Sequence, residues 1–166
     1  FNTLTIGGGG PTVNTFSLAG GTFRDEDLYS IISNPQTQCR ICYRQNGIMR
    51  FDAAGTTYIK SSGTIPEWDN NGTLTETIHK DFVVYWMYVN NRINTPVTIV
   101  VGQGVYKDIA EAQSASLPTI LGFSVIEAKL AYRIIVKNEQ GQFTWVQSDP
   151  LYSINTGLVA GTPAIT

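Results

Sequence analysis

The chain has 166 residues, a net charge of -2 and a pI near 5.3, and only 14% of its residues are charged, against about 25% in an average domain. That balance excludes the basic field that non-specific nucleic-acid binding needs. No apolar run is long enough to span a membrane as a helix, and the length suits one domain that hides roughly 70% of its unfolded surface without disulfides or metal.

Residues 1–15 read as a Gly-rich connector from an upstream region, because Gly7 to Gly10 have too much backbone freedom for an element interior. The chain opens at Phe1 with neither Met nor a signal-peptide pattern, so a start mid-protein or after processing is expected. Residues 16–154 read as the globular domain. Phe16-Ser17-Leu18 and Thr22-Phe23 are its first strand signals, and Arg24-Asp25-Glu26-Asp27 is the densest charge. A calcium loop spaces its ligands at alternate positions, so this cluster reads as a solvated turn.

Cys39 and Cys42 form a C-x-x-C inside a strand-like run. Residues three apart on a strand point to opposite faces, and zinc would need two more ligands, so the pair reads as structural. Gln38 to Ala53 is a hairpin around Asn46-Gly47. A two-residue turn is the default there, but it sets Ile41 against Asp52 and mixes the faces. A three-residue loop, Gln45 to Gly47, pairs Ile41 with Phe51, Tyr43 with Met49 and Arg40 with Asp52, which leaves one face apolar and an ion pair on the other. We therefore expect that register, with Gly47 left-handed in a bulge.

Tyr58 to Asn71 is read as a loop-rich stretch carrying Tyr58, Glu67, Trp68, Asp69, Asn70 and Asn71. Glu67 and Asp69 could describe a glycosidase pair, but a flexible loop does not hold two carboxylates at a fixed separation. His79, the single histidine, reads as an exposed strand-end residue with no nucleophile motif to serve.

Asp81 to Asn90 is apolar on both faces and must be a central strand covered on both sides, with one cover available from another subunit. Val97 to Val101 is a second such strand. Gly102-Gln103-Gly104 lacks a third glycine and reads as a strand exit. Asp108 and Glu111 can cap a short helix that Pro118 limits. Val125 to Lys137 alternates, with Ile126, Ala128, Leu130, Tyr132, Ile134 and Val136 on one face. Glu127, Lys129 and Arg133 lie on a wet one. Asn138 to Gly141 turns the chain into Phe143 to Val146, and residues 155–166 read as a C-terminal connector or contact arm.

With about eight strands and one short helix, the fold class expected is all-β, an antiparallel sandwich or barrel-like domain. Strand aromatics Tyr85, Trp86, Tyr132 and Trp145 read as core. Tyr58, Trp68 and Tyr106 read as contact candidates, because Tyr and Trp combine a flat apolar body with a polar handle. The ligand-binding set expected is Tyr58, Trp68, Asp69, Asn70 and Asn71, holding a neutral sugar, with no catalytic residue, cofactor or metal.

Three stretches together carry a resemblance. They are Gly20 to Asp27; Phe82 to Val89 with Pro96-Val97, Val100 to Gln103, Tyr106 and Ala110; and Leu117-Pro118 with Glu127 to Val136. Their order resembles a domain of tail-fibre and related surface proteins of tailed bacteriophages, over Gly20 to Val146. The resemblance implies a homotrimeric, β-rich module on the virion, with other virion proteins and a host surface polysaccharide as partners. It leaves open a purely structural capsid or head decoration and, more distantly, a polysaccharide depolymerase.

Overall fold

The computed structural model describes residues 4–6, 12–24, 29–32, 35–90, 92, 94–119 and 128–151. It is an all-β domain with one short helix. Its strands are β1 Leu4–Ile6, β2 Phe16–Leu18, β3 Gly21–Arg24, β4 Tyr29–Ile32, β5 Arg40–Gln45, β6 Ile48–Phe51, β7 Ser61–Ser62, β8 Ile65–Asn70, β9 Thr73–Glu76, β10 Phe82–Asn90, β11 Val97–Tyr106, β12 Ala128–Glu139 and β13 Gln142–Pro150. Helix α1, Ile109–Gln113, falls between β11 and β12.

Six strands form the central sheet in the order β13-β12-β10-β11-β5-β6. It is mixed rather than purely antiparallel, since β5 joins β11 in parallel through Thr98↔Arg40, Ile99↔Ile41 and Val100↔Cys42. β1–β2 and β3–β4 form hairpins, and β7–β8–β9 form a separate three-stranded sheet.

β10 is apolar on both faces because both are buried. Val83, Tyr85, Met87 and Val89 enter one core with Ile41, Ile99, Ile134 and Phe143. Val84, Trp86 and Tyr88 enter a second with Cys42, Val100, Ala112 and Ile135. The first core is closed by Phe16, Leu18, Tyr58, Ile59, Trp68 and Leu74. The Tyr85 hydroxyl fastens β8 to the sheet, its proton shared between the carbonyls of Lys60 (2.9 Å) and Glu67 (2.8 Å). The second core is closed by α1 and by Met49, Phe51, Tyr106 and Ala115. Both covers of β10 therefore come from this chain. Among the described residues the large exposed apolar side chains are Ile31, Ile48, Ile78 and Leu117, which lie on separate segments.

The hairpin register differs from expectation by one residue. Cys42 faces Phe51, Tyr43 faces Arg50 and Gln45 faces Ile48. The turn is the two-residue Asn46-Gly47, with φ of 53° and 74°, the positive pair of a type I′ turn. Asp52 is tolerated beside Ile41 because Lys60 (2.8 Å) and the Tyr43 hydroxyl (3.1 Å) donate to its carboxylate. Gly47 is left-handed as expected, without the bulge.

Three other readings change. Gly102-Gln103-Gly104 is a mid-strand irregularity opposite Val84, not an exit, and β11 runs on to Tyr106. A Cβ at Gly102 would collide with the Val84 carbonyl oxygen. β12 shifts register between its pairs with Met87 and Tyr88, which accommodates Ala131 and swaps faces. Leu130 and Ala128 then pack in the second core, while Tyr132, Ile134 and Val136 pack in the first. The expected wet face is covered at Arg133: Ile135 is buried, and Arg133 bonds Asp149 and the Gln113 carbonyl at the end of α1, while Ile126 and Glu127 lie outside the described residues. Within the N-terminal stretch β1 pairs with β2, and its Leu4 amide donates to the Tyr132 hydroxyl. Helix α1 is capped as expected, Asp108 accepting from the Glu111 amide at 2.9 Å. It ends at Ser114, before Pro118 can limit it.

Candidate functional site

Residues expected in a loop lie on the β8–β9 hairpin. Asn70 faces Thr73 across a second type I′ turn, Asn71-Gly72, with φ of 50° and 93°. This turn packs against the first: the Gly47 amide donates to the Gly72 carbonyl at 2.8 Å, and a Cβ on Gly72 would press on Gly47 Cα at 3.2 Å. Glycine at 72 is thus required twice, for its φ and for the close approach.

Beneath the twin turns lies Asp69, fully buried. It accepts from Arg44 Nε at 2.8 Å, Arg44 Nη2 at 3.2 Å and the Gly72 amide at 2.8 Å. Gln45 adds a bond from the Leu74 amide to its Oε1. The result is a rigid tip on which Asn46, Asn70 and Asn71 are exposed.

The expected ligand set is therefore only partly gathered on an accessible surface. Asn70 and Asn71 are exposed and adjacent. Asp69 belongs to the frame and presents no oxygen to a ligand. Tyr58 is wholly buried, its hydroxyl donating to the Val13 carbonyl at 3.1 Å. Burial pushes its pKa up. Trp68 is half-buried against the first core, so it supports the hairpin rather than standing free for stacking. Tyr106 packs on the second core. Asn46 was missed as a partner of this tip; its Asn-Gly turn was legible, but its neighbour 25 residues away was not.

Glu67 and Asp69 share one face of β8, but only Glu67 retains access. Burial raises the Glu67 pKa against the pull of Lys60, and Glu76 sits directly across in β9. Lys60 lies over the Tyr43 ring at 4.3 Å and donates to Asp52. Burial opposes its charge, but the Asp52 bond and charge outweigh it and the pKa is raised.

Cys39 and Cys42 are free, buried and divided between the two cores, so they share no ligand and cannot close on each other. Burial pushes both thiols up to about 12, and Cys39 donates to the Thr57 carbonyl at 3.1 Å. His79 is exposed just before β10, where its Nδ1 accepts from the Gln140 amide at 3.0 Å. Residues 25–27 of the acidic cluster and 155–166 of the C-terminal arm lie outside the described residues. Among the described residues no three His, Cys, Asp or Glu side chains gather as a metal site, and no helix is long and apolar enough to cross a membrane.

A scan against protein-family models, a search of curated proteins and a search of solved structures each found no match to this chain.

Proposed function

We propose that this domain is a virion surface module of tail-fibre type, which works by homotrimeric assembly and by holding a host-surface polysaccharide without cutting it. The observation that carries the binding role is the rigid twin-turn tip with three exposed asparagine amides. An amide offers both donors and acceptors on a short arm, which suits sugar hydroxyls, and a locked backbone lowers the ordering cost of binding. The virion setting and the trimer rest on the resemblance over Gly20 to Val146. The apolar faces of β10 do not add to it, since this chain covers them. Hydrolysis through Glu67 and Asp69 is disfavoured, because Asp69 is held in a buried ion pair.

The test keeps the backbone and removes the amides. Asn46→Gly and Asn71→Gly suit left-handed positions, and Asn70→Ala suits a strand end. Wild-type domain should bind host cells or arrayed glycans and release no reducing ends, and the triple variant should lose that binding. Unchanged binding would move the site off the tip, and released reducing ends would overturn the non-catalytic reading. Light scattering should give a trimer; a monomer at micromolar concentration would remove the assembly claim. Electron microscopy placing the domain on the capsid, with binding absent, would instead mark a head decoration.

A further inference from the structure

At the far end of the second core, three strands bring polar groups to one face of an otherwise apolar sheet, and a fourth adds an aromatic ring. Asn90 ends β10, Thr98 lies in β11 beside Arg40 of β5, and Phe51 ends β6. Alternation puts Asn90 on the side of Tyr88, Thr98 on the side of Val100, and Arg40 on the side of Cys42. Asn90 and Thr98 are buried, joined from Nδ2 to Oγ1 at 3.3 Å. Asn90 Oδ1 also accepts from the Arg92 amide at 2.9 Å, which holds the exposed Arg92 at this corner.

The Arg40 guanidinium lies over the Phe51 ring, its Cζ 4.0 Å from the centroid. Stacking uses the plane of a guanidinium and leaves the N–H edge available. Burial, then the like charge of Arg92, lowers the Arg40 pKa. Elsewhere among the described residues Arg44 pairs with Asp69, Lys60 with Asp52, Lys107 with Asp81, Arg133 with Asp149 and Lys137 with Glu139, while Arg50, Lys80 and Lys129 form no ion pair. Among the described residues no carboxylate pairs with Arg40 or Arg92. Arg40 and Arg92 stand at one corner beside the buried Asn90 and Thr98, and the fork geometry of arginine matches a planar carboxylate.

We propose that Arg40 and Arg92 bind a carboxylate-bearing sugar, so that the polysaccharide held by this domain is an acidic one. The inference rests on the attachment reading above, at a surface distinct from the twin-turn tip. The ligand's carboxylate sits between the two guanidiniums, and Phe51 keeps Arg40 oriented.

The test titrates the intact domain with polygalacturonate, with dextran as the neutral control and dextran sulfate as the sulfate-bearing one. Polygalacturonate should bind, weaken as salt is added, and lose about tenfold in affinity in Arg92→Gln and in Arg40→Gln. Arg92→Lys should retain part of it. Arg92 is exposed, so Arg92→Gln carries the test even if Arg40→Gln loosens the β6 edge. Unchanged affinity in Arg92→Gln and the double variant would overturn the proposal. Binding of dextran sulfate alone would overturn the carboxylate assignment. Host cells still bound while polygalacturonate is ignored would sink this site and leave the attachment reading standing; wild-type protein that binds neither cells nor any glycan would sink the attachment reading itself.

Discussion

Arg44 closes on Asp69 with two hydrogen bonds, and the carboxylate it holds is fully buried. Removing one partner of such a pair strands the other charge away from water, at about 3–5 kcal/mol. Arg44→Met should therefore destabilise the domain by about 3 kcal/mol, because the carboxylate keeps the Gly72 amide as a residual partner. Urea unfolding measures it, and a loss under about 1 kcal/mol would show that Asp69 finds water or another cation.

At Gly102 the Val84 backbone blocks a side chain, whereas at Gly104 the nearest atoms belong to the Tyr106 hydroxyl, the movable end of a side chain. Gly102→Ala should cost about 2–3 kcal/mol by forcing β10 and β11 apart, and Gly104→Ala about 1 kcal/mol or less. Paired thermal melts separate the two; equal effects would mean that the β11 irregularity yields as a unit.

The thiols offer a probe of opening. With both pKa values pushed up to about 12 and both sulfurs buried, neither cysteine should react with a disulfide reagent at neutral pH. In urea both should react. Cys39 and Cys42 lie in different cores, so one thiol reacting ahead of the other would reveal which face opens first.

Glu67 gives a pH dependence of fixed sign. Its folded pKa lies above the ordinary carboxylate value, chiefly through burial, so the folded state binds the proton more tightly than the unfolded state. Its favourable contribution is complete below the unfolded pKa and is lost as pH rises through the folded one. Glu67→Gln should stabilise the domain at neutral pH by a few tenths of a kcal/mol, about what solvent screening leaves, and have no effect near pH 3. A stabilisation that persists at acid pH would place its origin outside the charge.

The two-faced strand β10 was legible because burial on both sides leaves an unbroken apolar run, and its length and β-branched and aromatic residues mark it as strand rather than buried helix. The β5–β6 register was not. Alternation alone makes Asp52 an intruder beside Ile41, and only the folded chain brings Lys60 and the Tyr43 hydroxyl to meet it. The face swap at Ala131 escaped for a similar reason, since Leu130 and Tyr132 are equally apolar and either face accepts them. At the candidate tip, Asn70 and Asn71 were legible as turn residues. The burial of Asp69 was not, because its partner Arg44 lies on a different hairpin.

The parallel seam between β5 and β11 constrains how the domain forms. β10, β11, β12 and β13 follow one another closely in the chain, and hairpin-like neighbours close quickly. β5 must wait for β11, which is made more than fifty residues later. During synthesis the β5–β6 hairpin, with Ile41 and Cys42 bare on opposite sides, emerges before the strand that will receive it. The amino-terminal half is therefore a client of the carboxy-terminal half, and until residues 97–106 appear it carries an unpaired edge open to other chains.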